Sequence, residues 1–167
     1  MSATKLGFSL QKLHQESWVA VLSDGVQEAI ITASSVPDKP LLPLLWAVRL
    51  LLLGASDANC SWWNEPGEYR WLFTRQGEQI LIHIVWFQDI AGWSDEKGET
   101  VLRMECELLT FAKRLFHQLG QLKYQEGDLT VPPRDYQNLQ EAILEFEHHR
   151  TSRQSSARKP QKLVDCT

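Results

Sequence analysis

Residues 68–88 repeat with a period of two across a turn signal, and this pattern restricts the chain more than any other. Tyr69, Trp71 and Phe73 alternate with Arg70, Leu72 and Thr74. Successive side chains of a strand point to opposite faces, so 68–75 has one apolar and one mixed face. Gln76-Gly77-Glu78 then turns the chain, since Gly admits the positive φ of a tight turn. In 79–88, Ile80, Ile82, Ile84 and Trp86 fall on one face, with Leu81, His83, Val85 and Phe87 on the other. A strand apolar on both faces is expected at the centre of a sheet and covered on both sides, or nearly so.

The flanking segments continue the pattern. Residues 59–64 predict a strand that turns through Glu65-Pro66-Gly67, and 99–107 predict another after a polar loop over 89–98. Near the start, Leu6, Phe8 and Leu10 alternate with polar residues, and 18–22 form a second candidate strand. Asp24-Gly25 is a hairpin signal, and 26–33 make the returning strand.

Three segments read as helices. Residues 41–53 are apolar nearly all round apart from Arg49, with Asp38 as a capping residue, Pro40 in the first turn and Gly54 as the left-handed residue past the end. A helix of this kind is expected to be buried on more than one side, at the centre of the core. Leu108, Phe111, Ala112, Leu115, Leu119 and Leu122 make one stripe at helical spacing. After a linker over 127–133, residues 135–149 carry Tyr136, Leu139, Ile143 and Phe146 at three- and four-residue steps. The order β-β-β-α-β-β-β-β-α-α predicts an α+β domain: an antiparallel sheet packed by one central apolar helix and two C-terminal helices. The domain is expected over 1–149. Residues 150–167 lack large apolar side chains at their start (RTSRQSSARKP) and are expected to be a basic, disordered tail.

Charge separates the same two parts. Residues 1–149 hold 12 Lys and Arg against 20 Asp and Glu, a balance of −8, while 150–167 hold 5 against 1, or +4. An acidic body repels a phosphate backbone, so nucleic acid is not expected as its partner. The longest apolar run is interrupted by Pro43 and Arg49 and falls short of the ~20 residues that span a bilayer, so no membrane role is expected. The start lacks the apolar core of a secretory leader, and Cys60, Cys106 and Cys166 fit neither a disulfide framework nor a metal spacing. A reducing cytoplasm is the expected location.

The stretch CSWWNEPGEYRWLF over 60–73, followed by Trp86-Phe87 at a strand end, resembles a widespread set of small bacterial proteins of no known activity. They share a W-x-x-E-P-G-E-Y-R-W hairpin, then a strand and a helix like 109–122. The resemblance covers roughly 41–124 and implies a bacterial protein, with immunity or accessory proteins as the nearest association. It implies no catalytic residue.

The candidate site residues divide into two groups. Trp63 and Trp93 are large aromatics at positions where one needs cover, and Glu65, Glu68 and Asp89 are acidic groups of the same hairpin and loop; these are the partner-binding candidates. His83 and Glu105 add an alternative acid–base or metal reading, although no H-x-E, D-x-D or E-x-x-H spacing supports it. For each carboxylate a solvated sheet surface is the leading alternative, and for His83 a satisfied half-buried position. Cys60 and Cys106 lack a cationic neighbour that would favour a thiolate. With no phosphate loop, dinucleotide fingerprint or nucleophile elbow, neither cofactor nor metal is expected. The functional expectation is a non-catalytic protein-binding or accessory protein, in its narrower form immunity-like. A small hydrolase built on the carboxylates and His83 is the alternative, and a homo-oligomer a third.

Overall fold

The computed structural model describes residues 5–13, 17–34, 39–88, 98–126 and 131–158. The elements follow the expected order: β1 (Gly7–Leu13), β2 (Ser17–Ser23), β3 (Glu28–Ser34), α1 (Leu41–Leu52), β4 (Asp57–Asn64), β5 (Gly67–Gln76), β6 (Gln79–Phe87), β7 (Glu99–Glu107), α2 (Leu108–Glu126) and α3 (Pro133–Ala157). The class is α+β, but the strands divide between two antiparallel sheets, β1-β2-β3 and β4-β5-β6-β7. Every ladder joins strands adjacent in sequence. α1 lies between β3 and β4 and moves the chain from one sheet to the other.

The registers place the apolar residues in rows. Cys60, Trp71, Ile84 and Leu102 stand opposite one another across β4 to β7, as do Ala58, Phe73, Ile82 and Met104. On the smaller sheet Phe8, Leu22 and Ala29 make one row, and Leu10, Ala20 and Ile31 the next. All six predicted stripe residues of α2 are buried. The ring of Phe111 lies 5.1 Å from that of Phe8 and 6.0 Å from that of Phe73, so α2 touches both sheets. Gln118 accepts a hydrogen bond from the backbone N–H of Leu10 at 3.1 Å, which closes one group of an edge strand.

The β5–β6 hairpin packs only one face into this core. Ile80, Ile82 and Ile84 are buried, whereas Leu81, His83 and Phe87 are half-buried and Leu72 beside them is 38% exposed. The outer face of β6 is therefore covered only in part, most closely at Val85, which is buried. The physical reason is that Arg70, Thr74, Arg103 and Glu105 share the outer face and are exposed there, since polar groups favour solvent over burial.

α1 also departs from expectation. It ends as predicted: Gly54 has φ +112°, and the Gly54 and Ala55 N–H groups bond the Leu51 and Leu50 carbonyls at 3.1 and 3.0 Å. Its N-cap is Pro40 without a side-chain bond, and Asp38 lies outside the described residues. Leu41, Leu44, Leu45, Ala47, Val48, Leu51 and Leu52 are buried. Trp46, Leu50 and Leu53 are instead 47%, 52% and 54% exposed. The helix is buried on one side and stands at the margin of the core.

α3 runs on past the expected end at His149 to Ala157. The segment from Thr151 is exposed throughout, and its hydroxyls turn inward to the helix: Thr151 donates to the Glu147 carbonyl at 3.0 Å and Ser152 to that of His148 at 3.0 Å. Once the packed part of α3 has formed, each added residue needs only one further hydrogen bond to continue the helix. Arg150 belongs to the domain and not to a tail. It bridges Glu78 of the β5–β6 turn and Glu107 at the end of β7. The rest of the predicted basic tail, beyond Arg158, lies outside the described residues.

The β2–β3 loop is organised by Asp24. Its carboxylate accepts the N–H groups of Val26 and Gln27 at 2.9 and 2.8 Å and the Gln27 amide at 2.9 Å. The Gln27 amide also donates to the Arg103 carbonyl at 2.9 Å, which ties the loop to β7. These bonds, with the Gln27 backbone N–H first, hold the Asp24 carboxyl below its ordinary range. A lowered folded-state pKa stabilises the fold above the unfolded value and is lost as pH falls through the folded one. Urea unfolding of wild type and Asp24→Asn is therefore expected to differ at pH 7, with wild type the more stable. The gap should close as pH is taken well below about 4.

Candidate functional site

The described members of the two groups of predicted site residues do not gather into one cluster. Trp63 is half-buried on the outer face of β4, opposite Glu68 in the register. Glu68 is buried, because Arg70 closes over it: Arg70 Nη2 and Nε reach Glu68 Oε1 at 2.6 and 2.8 Å, and the guanidinium lies 4.1 Å from the centre of the Phe87 ring. The aromatic face and the carboxylate both attract the cation, so Glu68 is committed to an internal pair. Glu65 stands exposed in the β4–β5 turn. Asp89 and Trp93 lie outside the described residues.

His83 bonds Thr100 Oγ1 at 2.9 Å and stands between Leu72 and Arg103 in the register. Glu68 stands opposite Phe87, so it is four residues along β6 from His83. At about 3.3 Å per residue this is roughly 13 Å, beyond the reach of one hydrogen bond or one bridging water. Glu105 is exposed on β7 opposite Leu81. Among the described residues no three His, Cys, Asp or Glu side chains group closely enough to hold a metal ion.

A cleft of about 300 Å³ opens between the end of α1, the β5–β6 turn and α3. Several of its charged groups are held internally, while Arg153 at its margin is exposed. Arg75 donates to the Leu51 and Gly77 carbonyls and lies 5.2 Å from the Phe146 ring. Arg150 joins Glu78 to Glu107, and His149 faces Glu145 at 3.7 Å. These contacts fasten the carboxyl end of α1 and the middle of α3 to the large sheet.

The feature missed by sequence reasoning is the outward side of α1. At 100° per residue Leu42, Trp46, Arg49, Leu50 and Leu53 fall within about 100° of one another. Trp46, Leu50 and Leu53 are exposed and Leu42, Pro43 and Arg49 half-buried. The Trp46 indole N–H donates to Asp135 Oδ1 at 2.8 Å, which fixes the ring against the start of α3. Large aliphatic and indole surface is thus presented in a row on a rigid helix. The signal was the all-round apolarity of 41–53, which a helix buried on one side cannot hide.

The thiols are inert by position. Burial pushes the Cys60 thiol far above its ordinary range. Burial, with the Glu107 charge second, pushes that of Cys106 up to about 12. In a Cys166→Ser background both are expected to leave Ellman's reagent unreacted at pH 8 while folded and to react once guanidinium unfolds the chain. Prompt reaction of the folded protein would contradict their burial.

No family model matches the chain, and neither a curated protein nor a solved structure matches it.

Proposed function

We propose that this chain is a non-catalytic protein-binding domain that docks a protein partner on the outward side of α1. The observation that supports it most is the row of Trp46, Leu50 and Leu53, about half exposed on a helix whose other side is in the core. Isolated exposed apolar residues are common, but a contiguous row of three on one rigid helix is the kind of surface that protein interfaces use. Trp is a frequent anchor in such interfaces, and Trp46 is already oriented by Asp135, so less side-chain freedom is lost on docking. Of the earlier polar candidates, Glu68 is held by Arg70 and His83 by Thr100, while Glu65 and Glu105 stand exposed and apart. The acidic balance of residues 1–149 favours encounter with a basic partner, which is the support for the narrower, immunity-like version of this reading.

A photo-crosslinking amino acid at Leu50, in the native host, tests the reading. One discrete protein adduct is expected from Leu50 and none from a control position at exposed Gln140 on α3. No adduct at Leu50, or the same adducts at both positions, would contradict it.

A further inference from the structure

Arg75, Arg150 and Arg153 line the cleft between the end of α1, the β5–β6 turn and α3, against two carboxylates, Glu78 and Glu145. The excess of cations runs against the charge of residues 1–149, whose balance is −8. The three guanidinium groups are not equivalent. Arg150 is taken up by Glu78 and by Glu107 beyond the cleft, so it adds no net attraction. Arg75 is held by the Leu51 and Gly77 carbonyls and by the Phe146 ring. Neutral carbonyls orient a guanidinium but leave its charge uncompensated. Arg153 is exposed about one turn beyond Arg150. Among the described residues neither Arg75 nor Arg153 has a carboxylate partner. Glu145 faces His149 at 3.7 Å with both largely exposed, so water and salt weaken its repulsion of an anion.

The same cleft has apolar walls, from Leu52 and Leu53 at the end of α1 and from Ala142 and Phe146 of α3. On α3 the lining side runs Ala142, Phe146, His149, Arg153 in steps of three and four. Apolar groups thus come first and basic groups last, over about 17 Å of helix. The volume of about 300 Å³ stands at the lower end for pockets that hold small molecules. We propose that this cleft binds a small amphiphilic acid, with one carboxylate on an aliphatic or aromatic body. The acid group is drawn toward Arg75 and Arg153, and the body lies against the apolar walls. A single negative charge suits the site, because Glu78 and Glu145 repel a second. An inorganic anion would gain nothing from the leucine and phenylalanine surface. The cleft shares only Leu53 with the outward row of α1, so this proposal does not rest on the docking reading.

Fluorescence titration of the full chain with anilinonaphthalene sulfonate, an aromatic anion, tests the proposal. Saturation is expected at one dye per chain, with displacement by decanoate and not by inorganic phosphate at equal ionic strength. Arg153→Glu is expected to weaken the dye about tenfold, a loss of about 1.4 kcal/mol. Arg134→Glu makes the same charge change at an exposed position in the first turn of α3 and should leave the affinity unchanged. Phenylnaphthylamine, which lacks the sulfonate, should respond to neither substitution. Arg75→Gln is expected to weaken the sulfonate dye as well, with circular dichroism as the check on its fold. Because Arg153 is exposed and makes no internal pair, its variant decides the outcome even if Arg75→Gln unfolds. Sulfonate binding that ignores Arg153→Glu, or an equal loss of both dyes, overturns the proposal. So does displacement by phosphate as readily as by decanoate, or the absence of saturable binding. Each of these results leaves the docking reading of α1 standing.

Discussion

The ring of Phe111 stands between Phe8 of one sheet and Phe73 of the other, and the arrangement of the whole domain depends on that contact. Among the described residues no backbone ladder joins β1-β2-β3 to β4-β5-β6-β7. Side chains hold the two sheets together, and α2 supplies Phe111, whose ring meets a ring from each. Buried aromatic side chains of this size contribute on the order of 3–5 kcal/mol when judged by truncation to Ala. Smaller links reinforce the same junction: Asn64 donates to Thr32 Oγ1 at 2.7 Å, and Gln27 to the Arg103 carbonyl. With α2 fixed between the sheets, α3 is fastened behind it through Lys113–Glu147 at 2.6 Å and through Arg150. α1 then has core on one side and α3 beside it, which leaves its third side to solvent.

The parts of this arrangement that were legible in the sequence are those set by backbone periodicity. Ile80, Ile82 and Ile84 are buried together because a strand repeats every two residues. Leu108, Phe111, Leu115, Leu119 and Leu122 are buried together because a helix brings steps of three and four onto one side. What could not be read is where neighbours stand. The same apolar pattern in 41–53 suits a helix enclosed on all sides and one enclosed on a single side, and only the placement of α3 and β4 decides between them. Composition also misled at residues 150–157, where a polar run continues a packed helix instead of leaving it.

The candidate site was legible only in kind. Glu68 was recognised as notable in a strongly apolar hairpin, but its neighbour Arg70 and the Phe87 ring across the ladder make it an internal pair. The pairing with Arg70 follows from the two-residue repeat of β5, and only the closure over the ring required the β5–β6 register, which pairs Glu68 with Phe87. Trp63 shares that outer face. The aromatic surplus made Trp63 and Trp93 the docking candidates, whereas among the described residues the exposed indole with a fixed orientation is Trp46, on a helix that sequence reasoning had assigned to the centre of the core.

The outward side of α1 contributes surface and not core. Guanidinium unfolding of the free Leu50→Gln/Leu53→Gln double variant measures this most directly. If the side faces solvent, stability should stay within about 0.5 kcal/mol per site of wild type. A loss of about 2–5 kcal/mol per site, the cost of opening a buried leucine position, would place these residues inside the fold and contradict the account.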